Sequence, residues 1–307
     1  MPDVKFGVNL WPLPLEQAEG VEALGFDSLW TSEHMLFYVP MFDVITVLAA
    51  YAARTKRLLL GSAVLLLPLR HPTVLAKEVA SLDIISNGRI ILGVGVGGEF
   101  AREFVACGVP LNERGPRTDE AIQVMRRLWS ESHVNHEGRF FRLEDASMEP
   151  KPVQRPGPPI WIAGRSEAAM KRAGRLGDAY FPYLFSPERY RDSLAKVRAF
   201  AEAAGRDPST IKGAIYQFIA LADTYEEARQ RANQELSMRY NQPFDRIVER
   251  YCVLGTPEQC AERLAEYVGA GVEHFCLVPI APPKELPAHL EDYAHQVVPR
   301  VRAPRSS

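Results

Sequence analysis

The chain has 307 residues, of which 47% are hydrophobic and 24% are charged, and its formal net charge at pH 7 is −2. This composition is ordinary for a globular protein, and the balanced charge gives no reason to expect a nucleic acid or an anionic membrane as a partner. No apolar run is long enough to span a bilayer and no signal-peptide pattern opens the chain, so we expect no membrane association and a cytoplasmic protein.

Short apolar strands alternate with amphipathic helices along the whole chain. The predicted strands cover 5–10, 26–31, 58–67, 89–94, 160–163, 178–183, 212–222 and 272–279. The predicted helices cover 15–24, 43–55, 72–86, 100–107, 118–130, 166–176, 187–204, 225–237, 256–267 and the tail from 285. Eight strands alternating with helices in about 300 residues predict an α/β fold, the (β/α)8 TIM barrel, with a doubly wound open sheet as the alternative. No shift in composition marks a second domain, so residues 1–307 are predicted to form one.

The segment 133–158 interrupts this alternation, because it is polar and rich in proline towards its end. A hairpin is predicted around Glu137 and Gly138. We expect this excursion to lie over one face of the barrel and to help shape a substrate pocket.

The third predicted strand has small residues at its centre, Gly61 to Val64. Glycine inside a strand indicates a bulge, a close approach by another group, or tight packing. The spacing by itself favours packing.

The fourth predicted strand ends in a glycine-rich run, Gly93 to Gly98, whose spacing is GxGxGG. The dinucleotide fingerprint is GxGxxG, followed about twenty residues later by an acidic residue, and neither feature is met here. The run therefore excludes a Rossmann-type site but is compatible with a pocket for an anion or a ring, lined by backbone groups.

The active site of a TIM barrel lies at the carboxyl ends of its strands. The residues predicted there are rich in glycine and aromatic side chains, and they contain no Ser-His-Asp pattern and no cluster suited to a metal. The four cysteines also lack zinc-site spacing, so no metal is expected. The carboxyl ends of the strands surround the open end of the barrel, called the mouth below. A mouth with these residues suits a large planar cofactor, and Trp11, near the end of the first strand, is a candidate for the wall of the pocket.

Two stretches at this mouth are candidates for chemistry. Glu33 and His34 follow the second strand, and a histidine there can exchange a proton near neutral pH, although it can equally cap a loop or pair with Glu33. Ala163, Gly164 and Arg165 lead from the fifth strand into a helix whose N–H groups can hold a phosphate. An ordinary Ser166 N-cap is the simpler explanation of that second stretch.

The order of several motifs resembles that of a known superfamily across nearly the whole chain. The similarity is densest over 25–34 (GFDSLWTSEH), 58–97, 108–129, 150–166 (PKPVQRPGPPIWIAGRS), 172–182 and 255–275. The chain resembles the bacterial luciferase-like flavin and deazaflavin oxidoreductases, which are TIM barrels. It is most similar to the branch that uses the deazaflavin coenzyme F420.

The resemblance implies a role for each group of candidate residues. His34 with Glu33 would meet the deazaflavin ring and help to position or protonate the substrate, and a non-prolyl cis peptide at Ala63–Val64 would back the ring. The resemblance further assigns the cofactor tail to Gly97, Gly98, Ala163, Gly164 and Arg165, and it places Tyr38 on the substrate side. Trp11 and Tyr183 are candidates for the same substrate pocket because they lie near strand ends. It does not assign an acid role to Glu99, and the sugar-phosphate-binding residues of the glucose-6-phosphate type do not transfer.

Three functional hypotheses remain open from the sequence. The first is an oxidoreductase that transfers a hydride between coenzyme F420 and a small organic substrate. The second is an FMN-dependent monooxygenase that takes reduced FMN from a separate flavin reductase and activates oxygen. The third is a non-catalytic flavin-binding protein. The superfamily further implies a homodimer.

Overall fold

Eight parallel strands form a closed barrel in the computed structural model, which describes residues 4–10 and 15–303. They are β1 (Lys5–Asn9), β2 (Ser28–Thr31), β3 (Leu59–Ser62), β4 (Ile90–Gly95), β5 (Ile160–Ile162), β6 (Ala179–Tyr180), β7 (Lys212–Leu221) and β8 (His274–Pro279). Each strand pairs with the next, and β8 pairs with β1, so the barrel sheet closes on itself. The predicted TIM barrel is confirmed, and the open sheet is wrong.

Helices surround the barrel, and most follow the predicted bounds. They are Gln17–Ala23, Val44–Arg54, Pro72–Ser86, Ala101–Ala106, Arg114–Ser130, Glu167–Leu176, Pro187–Ala203, Tyr225–Tyr240, Asp245–Tyr251, Pro257–Gly269 and a C-terminal run from Leu286 to Arg302 with a π-helical turn. Within the part of the chain that the structure describes, no helix is long and apolar enough to cross a membrane.

The largest difference between a predicted and an observed helix boundary lies at the start of the helix Arg114–Ser130. The helix expected to begin at Thr118 starts at Arg114, and the Thr118 hydroxyl donates to the Arg114 carbonyl from inside the helix at 2.7 Å. The physical reason is Pro116, which is tolerated in a first helical turn because the N–H that it lacks would have no helical acceptor there.

The third predicted strand is interrupted in the middle of its apolar run. β3 ends at Ser62, the Ala63–Val64 peptide is cis, and Leu65–Leu66 then pairs with the end of β4. The cis peptide that the resemblance implied is therefore present, and it lies in a bulge of the barrel wall.

Aromatic side chains fill the centre of the barrel. Trp30 lies 5.0 Å from Trp161 and 5.2 Å from Phe181, measured between ring centroids. A Cβ atom on Gly61 would lie 2.1 Å from the Trp30 ring, so this glycine is required by packing. His274 contacts the same cluster, and burial lowers its pKa to about 3, which keeps its ring neutral.

The excursion at 133–158 contains the predicted hairpin, with strands Val134–Glu137 and Arg142–Ala146. It is fixed to the outside of the helix Arg114–Ser130. Glu120 on that helix accepts hydrogen bonds from the backbone N–H groups of Phe140 and Phe141 and lies 3.1 Å from His136 Nε2. The expectation that the excursion shapes the substrate pocket is wrong, because no residue of 133–158 lines the cavity at the barrel mouth.

Three of the four cysteines, Cys252, Cys260 and Cys276, are buried free thiols. Cys107 differs, because it lies exposed at the end of the short helix Ala101–Ala106. Within residues 4–10 and 15–303, no group of three or more His, Cys, Asp or Glu side chains is arranged to hold a metal ion.

Candidate active site

A cavity of about 370 Å³ opens at the carboxyl ends of the strands, where the active site of this fold is expected. Its walls come from the residues that follow β2 to β6, from Tyr216 on β7, and from the end of the helix Tyr225–Tyr240. Many of the sequence-predicted site residues meet there, namely Glu33, His34, Ala63, Val64, Gly97, Ala163, Gly164, Arg165 and Tyr183.

Two other predicted residues are not in this wall. Gly98 and Tyr38 are not among the lining residues, and the Tyr38 ring instead packs edge-on against Phe100 at 4.5 Å, on the rim. Phe37 and Met41 line the cavity from the same segment. Trp11 lies outside the described residues.

The bulge after β3 forms one wall of the cavity, and a chain of hydrogen bonds holds it. The Ala63 N–H donates to the Thr31 carbonyl at 2.7 Å, and the Ser32 hydroxyl donates to the Ala63 carbonyl at 2.8 Å. Asn9 Nδ2 in turn donates to Ser32 Oγ at 2.8 Å. The opposing strand leaves space for the bulge, because a Cβ atom on Gly95 would lie 2.7 Å from Val64 Cγ2. The wall therefore presents backbone and small side chains to the cavity.

Glu33 is buried and bonded within the protein. Its carboxylate accepts the Leu66 N–H at 3.2 Å and forms an ion pair with Arg70, which also pairs with Asp43. Burial lowers the pKa of Arg70, but Glu33 and Asp43 outweigh it and raise that pKa above its ordinary value. Glu33 thus holds the chain just after the bulge.

His34 has a different acidic partner from the one that the sequence suggested. Its Nδ1 lies 3.1 and 3.2 Å from the two carboxylate oxygens of Glu103, whose side chain is 1% exposed. The Phe37 ring stacks on the imidazole at 4.2 Å with an interplanar angle of 7°. Because a carboxylate can only accept, Nδ1 donates, and Nε2 is the nitrogen left for exchange of a proton.

Glu103 was missed by the reasoning from sequence. It lies on the short helix Ala101–Ala106 between Arg102 and Phe104, and its partner is 69 positions away in the sequence. The signal for it in the sequence was an acidic side chain beside Phe104, and both residues are buried in the structure.

Glu99 instead meets the opposite side of the cavity. The Tyr183 hydroxyl donates to the Glu99 carboxylate, and the Arg165 guanidinium lies 4.7 Å from the centre of the Tyr183 ring. Burial and the Glu99 charge raise the pKa of Tyr183 well above its ordinary value. The phenol therefore stays protonated and remains a donor at all physiological pH values.

The start of the helix Glu167–Leu176 forms a positively charged corner of the cavity. Ser166 is its N-cap, as predicted, since its hydroxyl accepts the Ala169 N–H at 3.2 Å. Gly164 has φ +124°, and a Cβ atom there would lie 2.6 Å from the Ala169 side chain. The helix end, Arg165 and Arg114 together suit an anionic group.

Comparison with known proteins relates most of the chain to one family of oxidoreductases. The family model described as luciferase-like monooxygenase matches residues 14–274. An F420-dependent glucose-6-phosphate dehydrogenase of Amycolatopsis mediterranei (strain U-32) is 30% identical in an alignment 320 positions long, which covers 94% of this chain and 94% of that protein.

Two solved structures are similar over almost their full length. A structure of an F420-dependent secondary alcohol dehydrogenase in complex with an F420-acetone adduct superposes with a TM-score of 0.86, covering 98% of this chain and 100% of that one at 24% identity. This likeness supports the fold. The monooxygenase RslO1 from Streptomyces bottropensis has a TM-score of 0.83 at 31% identity and covers 96% and 99% of the two chains.

Proposed function

Because the chain belongs to the luciferase-like monooxygenase family, we propose that it is an oxidoreductase that exchanges a hydride between coenzyme F420 and a small organic substrate. The observation that most supports this proposal is the joint position of the Ala63–Val64 bulge and His34 on one cavity. Similarity to an F420-dependent relative over 94% of both chains points the same way.

The residues of the cavity fit a deazaflavin. The bulge and Gly95 provide a wall of backbone and small groups for a flat ring. Glycine is required at position 95, because a Cβ atom there would collide with Val64. Gly97, Ala163, Gly164 and the positive helix end at Arg165 suit the phosphate-bearing tail. When bound, the deazaflavin supplies a ring carbon that gives or accepts a hydride.

The side chains around this space perform the accompanying proton chemistry. Hydride transfer at a carbon that bears oxygen requires a proton to leave or reach that oxygen, and His34 Nε2 can accept or return it. Tyr183 stays protonated and donates its one phenolic proton to Glu99, so it can orient the substrate by accepting a hydrogen bond at its hydroxyl oxygen. Phe37, Met41 and Tyr240 give the substrate side an apolar lining that limits water.

The test is titration of the purified protein with coenzyme F420 and, separately, with FMN. We expect quenching of deazaflavin fluorescence at micromolar protein and no comparable FMN binding. Anaerobic assays with alcohols, aldehydes and glucose-6-phosphate should then give deazaflavin reduction with one class of substrate. Tight FMN binding without any deazaflavin binding would reject the proposal, and binding without turnover on any substrate would favour a non-catalytic flavin-binding protein.

A second candidate function is supported by the similarity to RslO1, a monooxygenase at 31% identity. On this alternative the protein uses reduced FMN, supplied by a separate flavin reductase, together with oxygen. Substrate-dependent oxygen consumption in the presence of a reductase distinguishes it from hydride transfer, which proceeds without oxygen.

We further propose that the protein is a cytoplasmic homodimer. On the helix Pro72–Ser86, Val74 is 57% exposed and Ile85 is 60% exposed. Apolar side chains that are exposed to this extent favour contact with the surface of a second subunit. Light scattering after gel filtration should give twice the chain mass of 34.4 kDa. A mass of one chain would reject the dimer.

A further inference from the structure

We propose that Glu103 is a positioning residue, which fixes the tautomer of His34 and anchors the segment that follows it at the cavity mouth. This segment comprises residues 35–42 and is called the mouth segment below. The inference deepens the proposed function and rests on it, because it assigns the state of the group that exchanges the proton.

The Glu103 carboxylate holds both the His34 ring and the backbone at the start of the mouth segment. It accepts from His34 Nδ1 at 3.1 Å, from the Met35 N–H at 2.5 Å and from the Leu36 N–H at 3.1 Å. The residue itself is fully buried. Among residues 4–10 and 15–303, the donors to this buried charge come from one stretch of the chain, His34 to Leu36, which joins the imidazole directly to the start of the mouth segment.

This arrangement determines which ring nitrogen is available. A carboxylate accepts from Nδ1–H, so in the neutral ring the proton stays on Nδ1 and the lone pair on Nε2. The negative charge at about 3 Å also stabilises the imidazolium that forms when Nε2 accepts a proton. Phe37 stacks on one face of the imidazole and so restricts rotation of the ring.

Other charges near His34 have partners or are more distant from its ring nitrogens. Glu33, the neighbouring residue, is neutralised by Arg70. Glu99 accepts from Tyr183, and Arg114, Arg165 and Arg239 line the remaining walls. The mouth segment itself contains no charged side chain. Glu103 is thus the carboxylate in direct contact with the ring.

The first experiment measures the tautomer without any cofactor, by 15N NMR of histidine-labelled protein, with His34→Ala used to assign the signal. We expect the neutral His34 ring to carry its proton on Nδ1 in the natural protein and to become a mixture of tautomers in Glu103→Gln, whose amide can donate as well as accept. A ring protonated on Nε2 in the natural protein overturns the proposal. This measurement decides the question even where Glu103→Gln does not fold.

The second experiment measures turnover. We expect Glu103→Gln to lower kcat about 10- to 100-fold with KM nearly unchanged, and to move the acid limb of the kcat profile towards lower pH. Glu103→Asp should regain part of the activity because it restores the charge. In a His34→Ala background, Glu103→Gln should cause little further loss of kcat.

The matched control is Glu120→Gln, which alters a carboxylate with the same kinds of partners far from the cavity and should leave kcat unchanged. An equal loss of kcat in both glutamine variants, or an unmoved pH profile in Glu103→Gln, overturns the proposal. Absence of turnover in the natural protein, with the expected tautomer present, would instead count against the proposed function.

Discussion

The molecule uses one arrangement of residues in two places, and only one of them faces the cavity. At the mouth, Glu103 accepts from a histidine ring and from two consecutive backbone N–H groups, those of Met35 and Leu36. At the outer hairpin, Glu120 accepts from His136 and from the consecutive N–H groups of Phe140 and Phe141.

The difference between the two pairs lies in their surroundings. Glu103 is 1% exposed and its histidine lines the cavity, whereas Glu120 is 12% exposed and its histidine faces the hairpin. The same hydrogen bonds therefore position a reactive group in one place and fasten a hairpin in the other. A motif of this kind becomes functional only where the second ring nitrogen has access to a ligand.

The largest expected effect separates the two histidines. His34→Ala removes the group proposed to exchange the proton, and kcat should fall by about 10²- to 10⁴-fold. His136→Ala should leave kcat within a factor of two. Steady-state assays at saturating cofactor measure both variants, and circular dichroism checks their folding. Similar kinetics for His34→Ala and the natural protein would remove the functional difference between the pairs.

The next effect tests whether a cofactor binds beside the pair formed by Glu103 and His34. Gly164→Asp adds a side chain 2.6 Å from Ala169 and a negative charge at the positive helix end, so the Kd for the deazaflavin should rise about tenfold or more, which is ~1.4 kcal/mol. Fluorescence titration measures it. Gly205→Asp is the control, because Gly205 also has positive φ but a side chain there meets nothing within 4 Å. Equal affinities in the two variants would contradict the phosphate assignment.

A smaller effect is expected on stability at the hairpin. Glu120→Ala leaves the N–H groups of Phe140 and Phe141 without their acceptor, and the free energy of unfolding should fall by about 1–3 kcal/mol. Urea unfolding measures this loss. Turnover should not change, and a matching loss of turnover would show that the hairpin contributes to the site.

The smallest effect concerns the pH dependence of that stability. Burial raises the pKa of Glu120, but hydrogen bonds from His136, Phe141 and Phe140 outweigh it and lower the pKa below its ordinary value of 4.5. A lowered pKa in the folded state contributes stability above the unfolded-state pKa, and this contribution is lost as pH falls through the folded-state pKa. The Tm difference between the natural protein and Glu120→Gln should therefore shrink between pH 6 and pH 3. A constant difference over this range would contradict it.

The fold was predictable from the sequence because its signals are local. Buried strands appear as short apolar runs, and helix starts and ends appear as caps such as Thr256 and stops such as Asn87, which has φ +60°. Eight repeats of this pattern are sufficient to indicate a barrel.

The third strand shows where local signals end. Gly61 is explained by packing against Trp30, as the spacing favoured, while Ala63 and Val64, two residues later, form the bulge that only the resemblance implied. Gly61 and the Ala63–Val64 pair are therefore small for different physical reasons, and no pattern in the sequence distinguishes the packing position from the bulge.

The candidate site was predictable only in part, because its key bonds join distant parts of the chain. The strand-end position of His34 was evident, but the choice between Glu33, Glu99 and Glu103 as its partner depends on tertiary geometry. Sequence adjacency favoured Glu33, whose carboxylate is bonded to Arg70 and Leu66.

The aromatic centre of the barrel bears on how this enzyme can change over evolutionary time. Trp30, Trp161 and Phe181 form a solid floor beneath the cavity, and their packing depends on the strands. The mouth segment and the helix Tyr225–Tyr240 can therefore accumulate substitutions, or be exchanged by design, with little effect on the floor. Selection can diversify the substrate while the scaffold is inherited unchanged.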